Sequence, residues 1–339
     1  MTAVESTPIA SSELAGLLFA CLDDCGFCCT FTPQVTEGEL ARLRRGLPTI
    51  PIARERGVMH IAFQGGCGAC SLLKARKCTA YEDRPAHCRY FPFHVYFGRR
   101  TEVYVNRTCR GVEPAVGGDL GPAFSQQVLA VARPHELAEH ARLARKVHAD
   151  FERNARAAGA WADVDQAIAS ALQAPDLFSG APSPERWQAA LEPFAEDDVV
   201  ARPFYLDPKL RWLTFERRGQ RLHVLEMQED GTLEDEGARI RLAAAGAPEG
   251  ARPGLRACIE RLATRDLFAG TVFHRVDDSD YRLGIERAAR ERVMEVAADL
   301  LVRVQILEAL GVPGPDLAGE AERFYDSAFL DAPTIGGWL

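Results

Sequence analysis

Nine of the ten cysteines in this 339-residue chain (Cys21, Cys25, Cys28, Cys29, Cys67, Cys70, Cys78, Cys88 and Cys109) fall within the first 109 residues, and only Cys258 follows them. Thiolates are the soft ligands that zinc, iron and iron–sulfur clusters take. Disulfides explain such crowding poorly in a reducing compartment, and an odd count of nine leaves one thiol unpaired even in an oxidising one. The first group, Cys21-Leu-Asp-Asp-Cys25-Gly-Phe-Cys28-Cys29, is short enough to wrap several thiolates around one centre. Gly26 gives it the backbone freedom to turn tightly and exposes N–H groups that can donate to sulfur. The second group is Gly65-Gly66-Cys67-Gly-Ala-Cys70, after which Cys78, Cys88 and Cys109 arrive at longer spacing and must be brought in by the fold.

Two kinds of centre compete for these ligands. Cys25-x-x-Cys28 and Cys67-x-x-Cys70 have the form of paired zinc knuckles, yet a tetrahedral zinc uses four thiolates and leaves the remainder without a reason. An iron–sulfur cluster, or two centres, uses more of them. Adjacent Cys28 and Cys29 cannot easily point at one ion, so one should ligate while the other serves a second centre or a hydrogen-bonded thiol role. Residues 71–110 add nine basic side chains against Glu82, Asp83 and Glu102, a local excess that lowers thiolate pKa values and offsets an anionic cluster. The rival reading of that stretch is an RNA-binding face in which Tyr90, Phe91, Phe93, Tyr96 and Phe97 stack bases; a hairpin core explains these aromatics better. His60, His87 and His94 are secondary ligand candidates.

Composition bounds the rest of the molecule. At 47% hydrophobic and 26% charged, the chain can bury a sizeable core. A formal net charge of −8 argues against a general nucleic-acid coat. The N-terminal stretch carries Glu5 and Glu13 without a basic n-region, and no run of about 18 apolar residues occurs, so a soluble cytoplasmic protein is expected.

The elements that must position the cysteines can be read locally. Thr36 and Glu39 form a capping box that should start a short helix through Leu40 and Leu43 to a stop at Gly46. Tyr90–Phe97 and Thr101–Val105, separated by Gly98–Arg100, read as a hairpin that Cys88 enters and Cys109 leaves. From about Phe124 to Leu172 an alanine-rich pattern, broken at Pro134, predicts a helical hairpin. Ser183 and Pro184 should open another helix, and Leu210–Arg218 with Arg221–Met227 should pair through Gly219. A final long helix is expected from Asp278–Asp280, with Val293, Val296, Leu300, Val304 and Leu307 on its core face. Leu255, Cys258, Ile259 and Leu262 make one apolar stripe, which removes Cys258 from the site. The fold class expected is α+β: a cysteine-rich metal-binding module at 15–112, a helical hairpin at 122–175, and a mainly helical α+β region at 183–339 ending in a long helix.

With these residues in view, CLDDCGFCCTFTPQVTEGEL, Cys70-Ser-Leu-Leu and CTAYEDRPAHCRYFPF together resemble the YkgJ-like cysteine-cluster proteins, a zinc- or iron-chelating domain known by its CxxCxxCC signature. Residues 17–112 carry the resemblance, through Cys25-Gly26, Cys28-Cys29, Cys78, Tyr81, Arg84-Pro85 and Cys88-Arg89. The gap from Cys21 to Cys25 is one residue longer than the signature's, and Cys67 is additional to it. The resemblance implies metal binding, with Cys25, Cys28, Cys78 and Cys88 holding a [4Fe-4S] cluster or another iron or zinc centre and Cys21, Cys29, Cys70 and Cys109 supporting them.

The layout is similar to the flagellin lysine N-methylases, which implies S-adenosylmethionine as cofactor and a protein substrate. Cys21-x3-Cys25-x-Phe27-Cys28 also resembles the cysteine loop of radical S-adenosylmethionine enzymes, although the later sequence lacks the alternating periods of an α/β barrel. Glu37 and Glu39 are candidates for the base that methyl transfer to a lysine needs, beside their capping role. The alternative function is a non-enzymatic metal-binding or electron-relay module with a helical domain that docks a protein partner. Neither reading involves a membrane or nucleic acid.

Overall fold

The computed structural model describes residues 9–10, 18–31, 33–55, 57–112, 118–119, 134–175, 177–178, 204–218, 221–241, 246–329 and 335–337. The N-terminal part is built from short pieces. Strands β1 (Ile9–Ala10) and β2 (Leu18–Phe19) precede a 3-10 turn at Phe27–Thr30 and helix α1 (Glu37–Gly46). Hairpins β3 (Ile52–Glu55) with β4 (Val58–Ile61), and β5 (Leu73–Lys74) with β6 (Lys77–Cys78), lead to helix α2 (Ala86–Tyr90) and to β7 (Phe93–Phe97) with β8 (Thr101–Val105). The capping box forms as expected: the Thr36 side chain accepts from Glu39 N, and the Glu39 carboxylate accepts from Thr36 N. Leu40 and Leu43 are buried beneath it.

Strand β9 (Gly118–Asp119) pairs with β2, and helices α3 (Pro134–Ala157) and α4 (Val164–Leu172) follow, with the break after Ala157 rather than at Pro134, which begins α3 because proline suits a first helical turn. The part of that pattern at 124–133 and the helix expected from Ser183 lie outside the described residues. Strands β10 (Phe204–Leu206), β11 (Trp212–Arg218), β12 (Arg221–Met227) and β13 (Leu233–Arg241) make an antiparallel four-stranded sheet in sequence order. Arg218 stands opposite Arg221, so β11 and β12 pair as expected, while Gly219 lies outside the described residues. Helices α5 (Arg252–Ala263), α6 (Asp266–Asp278), α7 (Ile285–Ala309) and α8 (Leu317–Asp326) follow, then β14 (Ile335–Gly337).

The long helix begins at Ile285 rather than at Asp278–Asp280. Asp278 ends α6, and Asp280 and Tyr281 sit at φ of 54° and 57°, a left-handed break that no helix continues through. Nor is α7 the last element, since α8 and β14 come after it. Its face is as read: Val293, Val296, Leu300, Val304 and Leu307 are all fully buried.

The β7–β8 hairpin is the centre of a second four-stranded sheet, ordered β1-β8-β7-β14, with both outer strands parallel to their neighbours. All ten residues of β7 and β8 are buried, because helices and loops cover both faces. Tyr90, Phe93, Tyr96 and Phe97 are therefore core side chains. Cys258 lies in the main core with Leu255, Ile259 and Leu262.

The cysteine region and the β10–β13 sheet share a core. Phe27, Phe31, Ala69 and Leu73 pack with Leu206, Trp212 and Met227. Gly68 lies so close to the Glu229 carbonyl that a Cβ there would collide with backbone, which is why the second cysteine loop carries glycine. Ala69 N donates to that same carbonyl at 2.7 Å. Among the described residues, no helix is long and apolar enough to cross a membrane.

Candidate metal centre

Each cysteine is delivered by a turn or a short element. Gly26, at φ 57°, opens the 3-10 turn that carries Cys28 and Cys29, and Cys29 N closes it onto the Gly26 carbonyl at 2.9 Å. A side chain at Gly26 would need the left-handed conformation and would press on Leu73. Cys70 N donates to the Cys29 carbonyl at 2.7 Å, which locks the two sequence groups together. Cys78 ends β6 opposite Leu73, Cys88 is in α2, and Cys109 follows β8 in a turn closed by Cys109 N onto Asn106 O at 3.3 Å.

The result is a cavity of about 470 Å³ lined by Cys21, Cys28, Cys29, Cys70, Cys78 and Cys88. Cys25 and Cys109 do not line it but couple electrostatically to its sulfurs. Cys28, the one thiol of the eight held low, ionises first, and its charge then acts on the other seven. The charge of Cys78 acts on Cys29, Cys70 and Cys88, that of Cys21 acts on Cys25, Cys78 and Cys109, and the eight are thus one connected cluster. Cys67, by contrast, is exposed and does not border the cavity. Among the described residues, no three Cys, His, Asp or Glu side chains already stand at metal-ligating geometry; the sulfurs surround a space.

Their electrostatics fit a cation. Burial pushes the Cys25 thiol to about 11 and Cys70 to about 12. It also raises Cys21, Cys78, Cys88 and Cys109, and neighbouring sulfurs add to the rise. Cys28 alone is lowered, because Cys29 donates its S–H to it, and the same bond raises Cys29. Four sulfurs accept a backbone N–H from two residues further along: Cys25 from Phe27, Cys70 from Leu72, Cys78 from Ala80 and Cys109 from Gly111. Those donors stabilise thiolates, while burial and mutual repulsion oppose them. A metal centre removes that opposition, so the donor set suits a thiolate-ligated iron or zinc centre.

Arg84 is the principal cation facing the sulfurs. Its charge lowers Cys21, Cys28, Cys78 and Cys88, and it stacks over the Tyr81 ring at 3.7 Å. Tyr81 in turn hydrogen-bonds Cys21. Arg76 acts on Cys25, and Lys77 lies 3.6 Å from Asp24 at the cavity rim. Much of the remaining basic excess of residues 71–110 pairs elsewhere: Arg99 with Asp165 and Asp266, Arg107 with Glu322, and Arg110 with Glu320. Its service to the thiolates is thus narrower than its number suggests.

The secondary candidates lie off the cavity wall. None of His60, His87 and His94 borders it. His87 packs on Phe31 with ring centroids 5.0 Å apart, and burial lowers it to about 4; His94 stacks on Tyr104. Glu37 pairs with Arg54 at 3.2 Å. Besides closing the capping box, Glu39 accepts from Ala86 N at 2.7 Å and so anchors the helix of Cys88. Neither glutamate borders the cavity. The site residues that sequence reasoning missed are Trp212 and Glu229. The Trp212 indole donates to the Cys25 carbonyl at 3.1 Å, and Glu229 accepts from Arg76 N. Both lie well over a hundred residues from the cysteines they hold, and no local signal marks them.

Residues 20–110 match the family described as "CxxCxxCC: Putative zinc- or iron-chelating domain". An uncharacterized protein of Methanocaldococcus jannaschii is 33% identical over 114 residues, covering 29% of this chain and 60% of that protein. The chain thus spans 60% of that relative's length, less than two thirds. No solved structure matches the chain. The segment similar to that zinc- or iron-chelating domain occupies about a quarter of this chain.

Proposed function

We propose that the cysteine module holds an iron–sulfur centre of the [4Fe-4S] type, with Cys25, Cys28, Cys78 and Cys88 as ligands and Cys21, Cys29, Cys70 and Cys109 around them. One observation carries this reading: six cysteines line a single cavity of about 470 Å³, more space and more sulfur than one tetrahedral zinc fills. When bound, the cluster supplies one-electron chemistry or a Lewis-acidic iron. The chain's own residues place cations at the sulfurs, through Arg84 and Arg76, and exclude water by packing Phe27, Leu72 and Leu73 nearby. Absorption and electron paramagnetic resonance of the anaerobically reconstituted, reduced protein test it. A reducible iron–sulfur signal is expected, and a colourless protein silent in both states contradicts it.

A second, narrower reading is S-adenosylmethionine-dependent lysine methylation of a protein partner in the cytoplasm. What favours it is room: the cysteine cavity lies within the range of small-molecule pockets, roughly 300–1,000 Å³, and its rim carries Asp23 and Asp24, suited to a cationic ligand. Calorimetry of the reconstituted protein with S-adenosylmethionine tests this. Binding that is lost in Cys25→Ser supports the methylase; no binding at about millimolar concentration leaves an electron-relay or docking module.

A further inference from the structure

A larger cavity, about 780 Å³, lies beside the loop that carries Cys109. Its wall joins Arg107 and Arg110 of that loop to the segment after β10, the turn after α7 and the first turn of α8. Within a chain of net charge −8, this wall holds six cationic side chains against four carboxylates. Four guanidiniums crowd two of those carboxylates. Arg110 pairs with Glu320, and Arg323 Nε lies 3.8 Å from it; Arg261 pairs with Glu322, and Arg107 Nε lies 3.5 Å from it. Glu320 also accepts the Tyr205 hydroxyl, so its oxygens are divided among three groups.

The arginines are held in place. Arg323 donates to the carbonyls of Arg107 at 2.7 Å and Cys109 at 3.2 Å, and Arg110 Nε donates to Leu206 O at 3.0 Å. Fixed guanidiniums in excess over their carboxylates favour a multiply charged oxyanion, whose oxygens match the guanidinium fork. Gly319, in the first turn of α8 between Asp316 and Glu320, leaves that side of the cavity open, since a Cβ there would meet nothing within 4 Å. Leu310, Val312, Pro313 and Pro315 supply an apolar side, which suits an organic remainder attached to the anion. We propose that this cavity binds a small organic phosphate, its phosphate among Arg107, Arg110, Arg323 and the first turn of α8. This site is separate from the metal centre and does not rest on the cluster assignment.

Calorimetric titration of the full chain with inorganic phosphate, glycerol 3-phosphate and succinate tests the proposal. Saturable phosphate binding is expected, tighter for glycerol 3-phosphate and weaker for succinate. Gly319→Phe, which fills the cavity from an open position, and Lys209→Glu, which reverses an exposed rim charge, should each weaken binding about tenfold or more with melting temperature unchanged. Lys209→Glu keeps the test intact if the phenylalanine variant does not fold. The proposal is overturned if neither phosphate saturates by about 10 mM, if succinate binds tightest, or if folded variants bind as the wild type does.

Discussion

Trp212 donates its indole N–H to the backbone carbonyl of Cys25 across 3.1 Å, and the guanidinium of Arg76 lies over the same ring at 3.6 Å. Trp212 is fully buried, so one side chain of the β10–β13 sheet holds both the first cysteine loop and the cation that acts on Cys25. The second half of the chain is thereby part of the metal centre's support.

Trp212→Phe keeps most of the apolar volume and removes the donor. A buried carbonyl left without its partner costs about 1–3 kcal/mol, so the urea midpoint should fall accordingly and metal loss to a chelator should quicken. A variant with unchanged midpoint and unchanged metal release contradicts this linkage.

Serine substitutions should sort the cysteines by place. Cys28→Ser should be the most damaging, because Cys28 lines the cavity and is the thiol held low, ready to ligate as thiolate, and Cys25→Ser, Cys78→Ser and Cys88→Ser should also lose the metal. Changes outside the ligand set already cost roughly 10–100-fold in affinity, so losses beyond that range are expected here. Cys67→Ser and Cys258→Ser, exposed and core respectively, should retain it. Metal retained in Cys78→Ser and lost in Cys67→Ser would overturn the assignment.

The metal-free protein should lose stability as pH rises through the alkaline range. Eight cysteines are held above the ordinary 9.0 when folded, Cys25 at about 11 and Cys70 and Cys258 at about 12 among them. Above pH 9 the folded state therefore holds more protons than the unfolded one, and the slope of stability against pH is negative. Cys28, lowered, opposes this but is outnumbered. Metal binding displaces those protons, so metal affinity should rise with pH. Denaturation of the metal-free protein at pH 8 and pH 10.5 checks the sign; greater stability at pH 10.5 contradicts it.

Glu39→Ala should loosen α1 and the helix of Cys88 together, since the carboxylate accepts from Thr36 N and Ala86 N. The loss of these bonds should cost about 1–2 kcal/mol, read in chemical denaturation. Burial raises the Glu39 pKa, but its hydrogen bonds and Arg42 outweigh that and leave it lowered. Its contribution is therefore present above the ordinary 4.5 and fades as pH falls below it. Equal stabilities of variant and wild type at pH 7 contradict the role.

Features with local causes were legible in the sequence. The Thr36–Glu39 box, the two hairpins at 93–105 and 212–227 and the apolar stripe of α7 all follow from capping chemistry or periodicity. The crowding of cysteines toward a metal site was equally plain. What could not be read was long-range: Trp212 reaching Cys25, Glu39 reaching Ala86, and β14 adding itself beside β7. The break before α7 was missed because Asp280 and Tyr281 are ordinary residues locally, yet they take left-handed conformations. The arginine cavity escaped for the same reason, since it forms only when residues 107–110 meet 320–323.

Anaerobic purification with iron, zinc and acid-labile sulfide quantified tests the identity of the centre most directly. Brown protein with iron and sulfide in equal amounts, about four of each per chain for one [4Fe-4S] cluster, is the predicted result. Stoichiometric zinc with no sulfide under the same conditions would contradict it.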